Sequence, residues 1–228
     1  MKVTKRASVL WTGGKDCVLA LHKAKALGYN IVNLVTFAPP KDKFRAHPLK
    51  FMELQAEALG IPHYTINVNR PFRKSYEDAI CFVKKKYAID TLVTGDINEV
   101  DHKPNWIKEC SKKSGVKVVI PLWHKKRKDI LNEFIKYKIK FIFSCVKEPW
   151  FTQSWLGKIS GKKIFKDLAI LGKQKKVDLC GENGEYHTLV LNCPLFKKSI
   201  MPGRSVNKKN GPIMYLDIKE IFLKDKKR

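Results

Sequence analysis

Paired cysteines, long apolar runs and negative charge are what this sequence lacks. Its six cysteines (17, 81, 110, 145, 180 and 193) include no C-x-x-C pair. Disulfide scaffolds are shorter and denser, and zinc sites use closer spacing, so these read as reduced thiols, mainly core residues. No stretch approaches the roughly 18–20 apolar residues that cross a bilayer. The basic start "MKVTKRASVLW" precedes an apolar run too short for a secretory leader, so an intracellular, cytoplasmic protein with no membrane partner is expected.

Acidic residues number 21 against 46 Lys and Arg, a formal charge of +25. Such a surplus attracts phosphate backbones. Two details weaken that reading. The cations are spread along the whole chain, and only seven are arginine, the residue suited to planar bidentate readout. A lysine-coated surface is preferred, with RNA as the lesser partner.

The 228 residues, 44% apolar with five tryptophans, have a globular composition and length enough for one large domain or two modest ones. Strand-like and helix-like segments alternate. "ASVLW" (7–11) reads as a buried strand and "CVLALHKAKALG" (17–28) as a helix. Strands follow at 30–37, 63–68, 90–96 and 116–123, with helices at 47–62, 73–87 and 101–115. Units of about 30 residues predict a parallel α/β sheet with right-handed crossovers. Ligands bind such sheets beyond the carboxyl ends of the strands, where "TGGKD" and "TGD" both fall.

The pattern changes near residue 126. A helix over 130–139, an extended 140–146 and a broken helix over 151–174 come next. Antiparallel strands then run from "GEYHTLVLNCPLF" to "PIMYLDIKEIFL", joined by a loop "PGRSVNKKNG". Residues 224–228 read as a frayed end. Two domains are expected, 1–126 and 127–228.

Glycines between strand and helix let backbone N–H groups approach an anion, and the helix start adds partial positive charge. "TGGKDC" suits a phosphate, but it is neither a Walker A loop nor a G-x-G-x-x-G turn. Taken alone, it equally fits an ordinary turn with an aspartate cap.

"WTGGKDC" resembles the S-G-G-x-D-S loop of the N-type ATP pyrophosphatases, the PP-loop. "GENGEYHTLVLNCPLF" (181–196) resembles the G-E-x-G-E-[YF]-x-T-x-V-x-D-x-P-x-F signature of the diphthine–ammonia ligase (diphthamide synthase) family. "HPLKFMELQAEALGIP" and "VTGDI" are similar to further segments of that family, in the same order.

The resemblance implies an α/β, parallel-sheet PP-loop (HUP/Rossmann-like) domain that binds ATP, followed by a smaller α+β domain that carries the second motif. It implies an AMP-forming ligase: ATP activates a carboxylate, pyrophosphate leaves, and ammonia displaces AMP to give an amide. Thr12, Gly13, Gly14, Lys15, Asp16 and Cys17 match the phosphate loop. Lys15 is assigned to charge neutralisation and Asp16 to placing Mg²⁺. Gly95 and Asp96 match the family's G-D pair, with Asp96 on Mg²⁺ or a ribose hydroxyl. Thr36 and Phe37, at the end of the second strand, fit a wall against adenine and equally fit the core. Glu182 and Glu185 are assigned to binding ammonium, orienting ammonia or gripping a cationic substrate. Tyr186, His187 and Thr188 lie beside them, and strand alternation sends His187 to the opposite face. His47 and Gln55 lie in a helix resembling the family's segment after the second strand, and equally read as a helix-start histidine and an exposed glutamine. Trp123, Trp150 and Trp155 read as core or interface aromatics.

Three positions depart from the pattern: Thr12 and Cys17 for serines, and Asn192 for aspartate. Cys17 keeps open an RNA-thiolating enzyme, and Cys17 with Asn192 a non-catalytic ATP-binding regulator. The implied partners are ATP, ammonium and a carboxylate acceptor, either a protein (a translation factor) or a small molecule.

Overall fold

The computed structural model describes residues 5–39, 46–99 and 102–226. The chain divides into two compact units. One comprises Met1–Thr12, Asp16–Lys43 and Ile61–His124; the other comprises Gly13–Lys15, Phe44–Gly60 and Lys125–Arg228.

The first unit is built on a parallel sheet. Its strands are β1 (Arg6–Leu10), β2 (Asn30–Ala38), β3 (His63–Asn67), β4 (Thr91–Val93) and β5 (Lys117–Val119), in the order β3-β2-β1-β4-β5. Ala7, Ser8 and Val9 are fully buried, as a central strand covered on both faces requires. Helices α1 (Lys15–Ala26, all but its first residue in this unit), α3 (Phe72–Tyr87) and α4 (Trp106–Ser111) are interleaved with the strands. The core packs Val35 and Leu92 of the sheet against Ile80 and Val83 of α3 and Ile107 and Cys110 of α4.

Strand order runs outward from β1 in both directions, so the topological switch lies between β1 and β4. Their register pairs Val9 with Val93, which sends both chains off the sheet side by side at their carboxyl ends. Open α/β sheets bind ligands there, because the crossover helices diverge and leave a crevice.

The second unit holds α2 (Leu49–Leu59), α5 (Arg127–Lys136), α6 (Lys162–Lys175) and six further strands. Strands β6 (Lys140–Lys147), β7 (Tyr186–Asn192), β9 (Ser205–Asn210) and β10 (Ile213–Ile218) form an antiparallel sheet in the order β7-β6-β10-β9. Strands β8 (Lys198–Pro202) and β11 (Ile221–Asp225) pair separately, with α2 against them. An aromatic core joins Phe141, Phe143, Phe151, Trp155 and Tyr186; Phe143 to Tyr186 is 4.9 Å between ring centres.

Several expectations need correction. The segment expected as a loop, "PGRSVNKKNG", contains β9, an edge strand whose six residues are all exposed. Two lysines and no buried apolar residue hid it, and such charge is how sheet edges resist further pairing. Lys224 and Asp225, expected to fray, pair with Ser199 and Lys198. The helix expected over 101–115 shrinks to α4 and one 3-10 turn, Lys112–Ser114; Asp101 lies outside the described residues. The strand expected over 116–123 covers only β5. Helix α1 begins at Lys15 rather than Cys17.

Candidate functional site

The glycine turn follows β1 directly. Thr12 is exposed, whereas Gly13, Gly14 and Lys15 are buried. The Thr12 hydroxyl donates to Cys17 Sγ at 3.8 Å, and the Cys17 thiol is buried. Gly13 adopts φ +74°, a left-handed conformation that favours glycine, and a Cβ there would strike the Gln55 side chain.

Gly13 and Lys15 belong to the second unit and are held within it. The Gly13 carbonyl accepts from the Val190 amide (3.0 Å) and from Gln55 Nε2 (2.8 Å). Gln55 Nε2 also donates to the Val190 carbonyl at 2.9 Å. The Lys15 amide donates to the Thr188 hydroxyl at 3.1 Å. Lys15 is 3% exposed, and its ammonium donates to the Cys180 carbonyl at 2.5 Å and lies 4.8 Å from the Tyr186 ring centre. A desolvated cation over an aromatic face contributes about 2 kcal/mol. Lys15 therefore binds the turn to strand β7 and the loop before it, a role its sequence position did not suggest.

Of the two readings open for Gln55, the exposed glutamine is excluded. Gln55 is fully buried, and its amide links two segments far apart in the chain. The signal was present: Phe51, Gln55 and Leu59 fall at i, i+4 and i+8 on the buried face of α2. A polar residue inside an apolar stripe needs partners.

The second turn, Thr94–Asp96, leaves β4. A Cβ on Gly95 would stand 2.7 Å from the Asp16 carbonyl carbon and the Cys17 nitrogen, so only glycine lets this turn lie against the first turn of α1. Asp96 Oδ2 accepts from Asn105 Nδ2 at 2.6 Å. Asn105 in turn caps α4 by accepting from the Lys108 amide at 3.0 Å. Sequence reasoning passed over Asn105, although an asparagine before a helical run is a familiar cap signal.

At the end of β2, Thr36 is buried and its hydroxyl is committed. It donates to the Trp11 carbonyl (2.6 Å), and His63 Nε2 lies within hydrogen-bond distance of the same oxygen at 2.7 Å. Phe37 packs edge-on to Tyr76 at 5.2 Å, and Tyr76 edge-on to Trp106 at 5.9 Å.

In the "GENGEYHT" segment the two glutamates differ. Glu182 is half-buried. Glu185 is 1% exposed, and its carboxylate accepts from the Asp178 amide (2.9 Å), the Asn183 amide (3.0 Å) and Asn183 Nδ2 (3.2 Å). Glu185 thus shapes its own loop. Asp178 extends that scaffold, accepting from the Cys180 amide at 2.7 Å and pairing with Arg127 at 2.8 Å. Tyr186 and Thr188 are buried and His187 is exposed, the alternation expected of β7. The His187 and His47 rings meet at 5.2 Å. Although His187 is exposed as a residue, desolvation of its ring and then the Lys15 charge lower its pKa, which favours a neutral imidazole.

No helix among the described residues is long and apolar enough to cross a membrane. Nor do three or more His, Cys, Asp or Glu among them form a metal-holding group.

A doubly wound sheet with one glycine turn on each side of its switch point defines an α/β nucleotide-binding fold of the PP-loop kind. Within that class the chain belongs to the diphthamide synthase family: residues 5–118 match the diphthamide synthase N-terminal domain and residues 126–221 the C-terminal domain. Relatives named diphthine–ammonia ligase include one from Schizosaccharomyces pombe, 29% identical over 95% of this chain and 39% of that protein. Those from Mus musculus and Homo sapiens are each 26% identical over 97% of this chain and 93% of theirs. The chain thus spans well under half of the yeast protein and nearly all of the mammalian ones. A solved structure from Methanocaldococcus jannaschii, described as a predicted subunit of tRNA methyltransferase, aligns over 83% of this chain and 98% of its own at 20% identity. The TM-score of that alignment is 0.47.

Proposed function

We propose that this chain is a diphthine–ammonia ligase, an ATP-dependent enzyme that adenylates a carboxylate and converts it to an amide. The carboxylate attacks the α-phosphorus of ATP, forming an acyl-adenylate and expelling pyrophosphate. Ammonia then attacks the acyl carbon, AMP leaves, and one proton is released. The acceptor is the diphthine carboxylate of a translation factor. The observation that carries this reading is the match of both halves of the chain to one ligase family, with both glycine turns at the sheet's switch point.

Residues 1–126 supply the ATP-binding domain in this proposal and 127–228 the acceptor domain. Thr12, Gly13, Gly14, Asp16 and Cys17 line the pyrophosphate end, where backbone amides and the start of α1 favour negative charge. Lys15 adds charge there while its side chain holds the turn to the Cys180 loop. Asp16 and Asp96 fit a Mg²⁺ ion: carboxylate oxygens are hard donors, and the packing of Gly95 on Asp16 supports a shared location. Mg²⁺ commonly takes one or two carboxylates plus phosphate oxygens, so no larger protein cage is needed; bound there, it would neutralise the leaving pyrophosphate. Thr36 and Phe37 form the wall near the base. Glu182 receives ammonium or a cationic group of the acceptor, and Glu185 keeps that loop in shape.

The test is AMP release from α-labelled Mg-ATP with ammonium and an extract of the source organism, left intact or treated with protease or RNase. AMP that requires ammonium, disappears after protease treatment, and is lost in Asp16→Ala is expected. ADP as product, or loss after RNase only, would overturn the proposal.

A further inference from the structure

Helices α5 and α6 enclose a groove of about 660 Å³ in the second unit. Its floor is apolar, with Leu131 and Ile135 from α5 and Phe165 and Ala169 from α6; Ile135 is 40% exposed. Four exposed lysines, Lys128, Lys162, Lys166 and Lys173, also line it, and no carboxylate does. Among the described residues, none of these lysines forms an ion pair.

We infer that this groove is a docking site for an acidic amphipathic helix of a protein partner. Lys162, Lys166 and Lys173 stand at i, i+4 and i+11, which puts them on one face of α6 over about 16 Å, with Lys128 on the facing helix. An occupant must match positive charge along the whole groove, not at one end. A fatty acid carries a single carboxylate and leaves most of these lysines unmatched. A second copy of a chain with net charge +25 is repelled. A helix with apolar residues at i, i+3, i+4 and i+7, flanked by glutamates or aspartates, satisfies both the floor and the lysines. This inference stands on the groove alone and is independent of the ligase reaction.

The probe is a fluorescein-labelled synthetic helix of about 18 residues, long enough to fold in water, with that leucine pattern flanked by glutamates. Its control has the same composition with the leucine spacing scrambled. Anisotropy with the full chain should show the patterned peptide binding at least about tenfold tighter than the control. Lys166→Glu with Lys173→Glu should weaken it by at least about tenfold, and so should Ala169→Trp, which fills the floor without changing charge. Circular dichroism of both variants checks that they are folded. Equal binding of the scrambled peptide would reveal general attraction to a basic surface and overturn the inference. Unchanged affinity in folded variants would do the same, as would displacement-sensitive binding of oleate with none of the peptide. Should a variant not fold, a benzophenone at one leucine of the probe decides with the wild-type chain. Adducts within residues 128–136 or 162–179 are expected, and adducts elsewhere refute the site.

Discussion

Replacing Gln55 by leucine tests whether the buried amide, rather than packing alone, holds the glycine turn to β7. Leucine is close in size, so the cavity contribution is small and the change acts on the hydrogen bonds of the amide, two of which are from Nε2. Those two run from Nε2 to the Gly13 and Val190 carbonyls, at 2.8 and 2.9 Å in a fully buried setting. A lost bond costs about 0.5–1.5 kcal/mol, and a buried acceptor left without its donor about 1–3 kcal/mol. Gly13 retains the Val190 amide, which reduces its share. The expected loss is about 2–4 kcal/mol. At about 2–4 °C per kcal/mol for a chain of this length, Tm should fall by roughly 5–15 °C in thermal melts followed by circular dichroism. Gln55→Glu sharpens the test. Its carboxylate would face two carbonyl oxygens, so its folded pKa rises above the unfolded value of about 4.3. A raised pKa means that stability is retained below about pH 4.3 and lost as pH climbs through the folded value, so this variant should be weaker at pH 8 than at pH 5. A Gln55→Leu protein within about 0.5 kcal/mol of wild type would refute the reasoning, because surface substitutions behave that way and buried linkers do not.

Gly95→Ala should cost about 1–3 kcal/mol in urea melts and abolish AMP release, because its Cβ meets the Asp16 and Cys17 backbone rather than a side chain that can move aside. Buried His22 has its pKa lowered to about 4 by desolvation and then by Lys25. Its contribution to stability is therefore complete above about pH 6.5 and is lost as pH falls toward 4, about 3 kcal/mol in all; urea melts across that range should flatten in His22→Gln. Burial pushes the Cys145 and Cys193 thiols up to about 11, and Cys81 alone among the six is not buried. Iodoacetamide at pH 8 should label Cys81 first, as peptide mass mapping would show. Glu185→Gln puts an NH₂ where the carboxylate accepts from loop amides, so hydrogen exchange across residues 178–186 should accelerate by an order of magnitude or more.

How much of this was legible beforehand depended on the distance between partners in the chain. The alternation of strands and helices, the glycine turns after β1 and β4, and the in–out pattern of Tyr186, His187 and Thr188 are local properties. Side-chain periods of 2 and 3.6 residues and the steric freedom of glycine set them. The polar edge strand β9 escaped because, among the described residues, it pairs with β10 alone, and no buried face marks its period. Asp16, Gly95 and Asp96 could be picked out from local motifs, whereas the close approach of Gly95 to the Asp16 and Cys17 backbone was not visible at all.

By itself, then, the sequence determined the class of fold and the two motifs that mark its family, since both reside in short stretches whose chemistry is complete within a few residues. Only the tertiary structure decided what Lys15, Gln55 and Glu185 do. Lys15 reaches Cys180 across 165 positions and Gln55 reaches Val190 across 135. The reason is physical: a buried polar group must find a partner, and folding rather than sequence spacing decides which one lies within 3 Å.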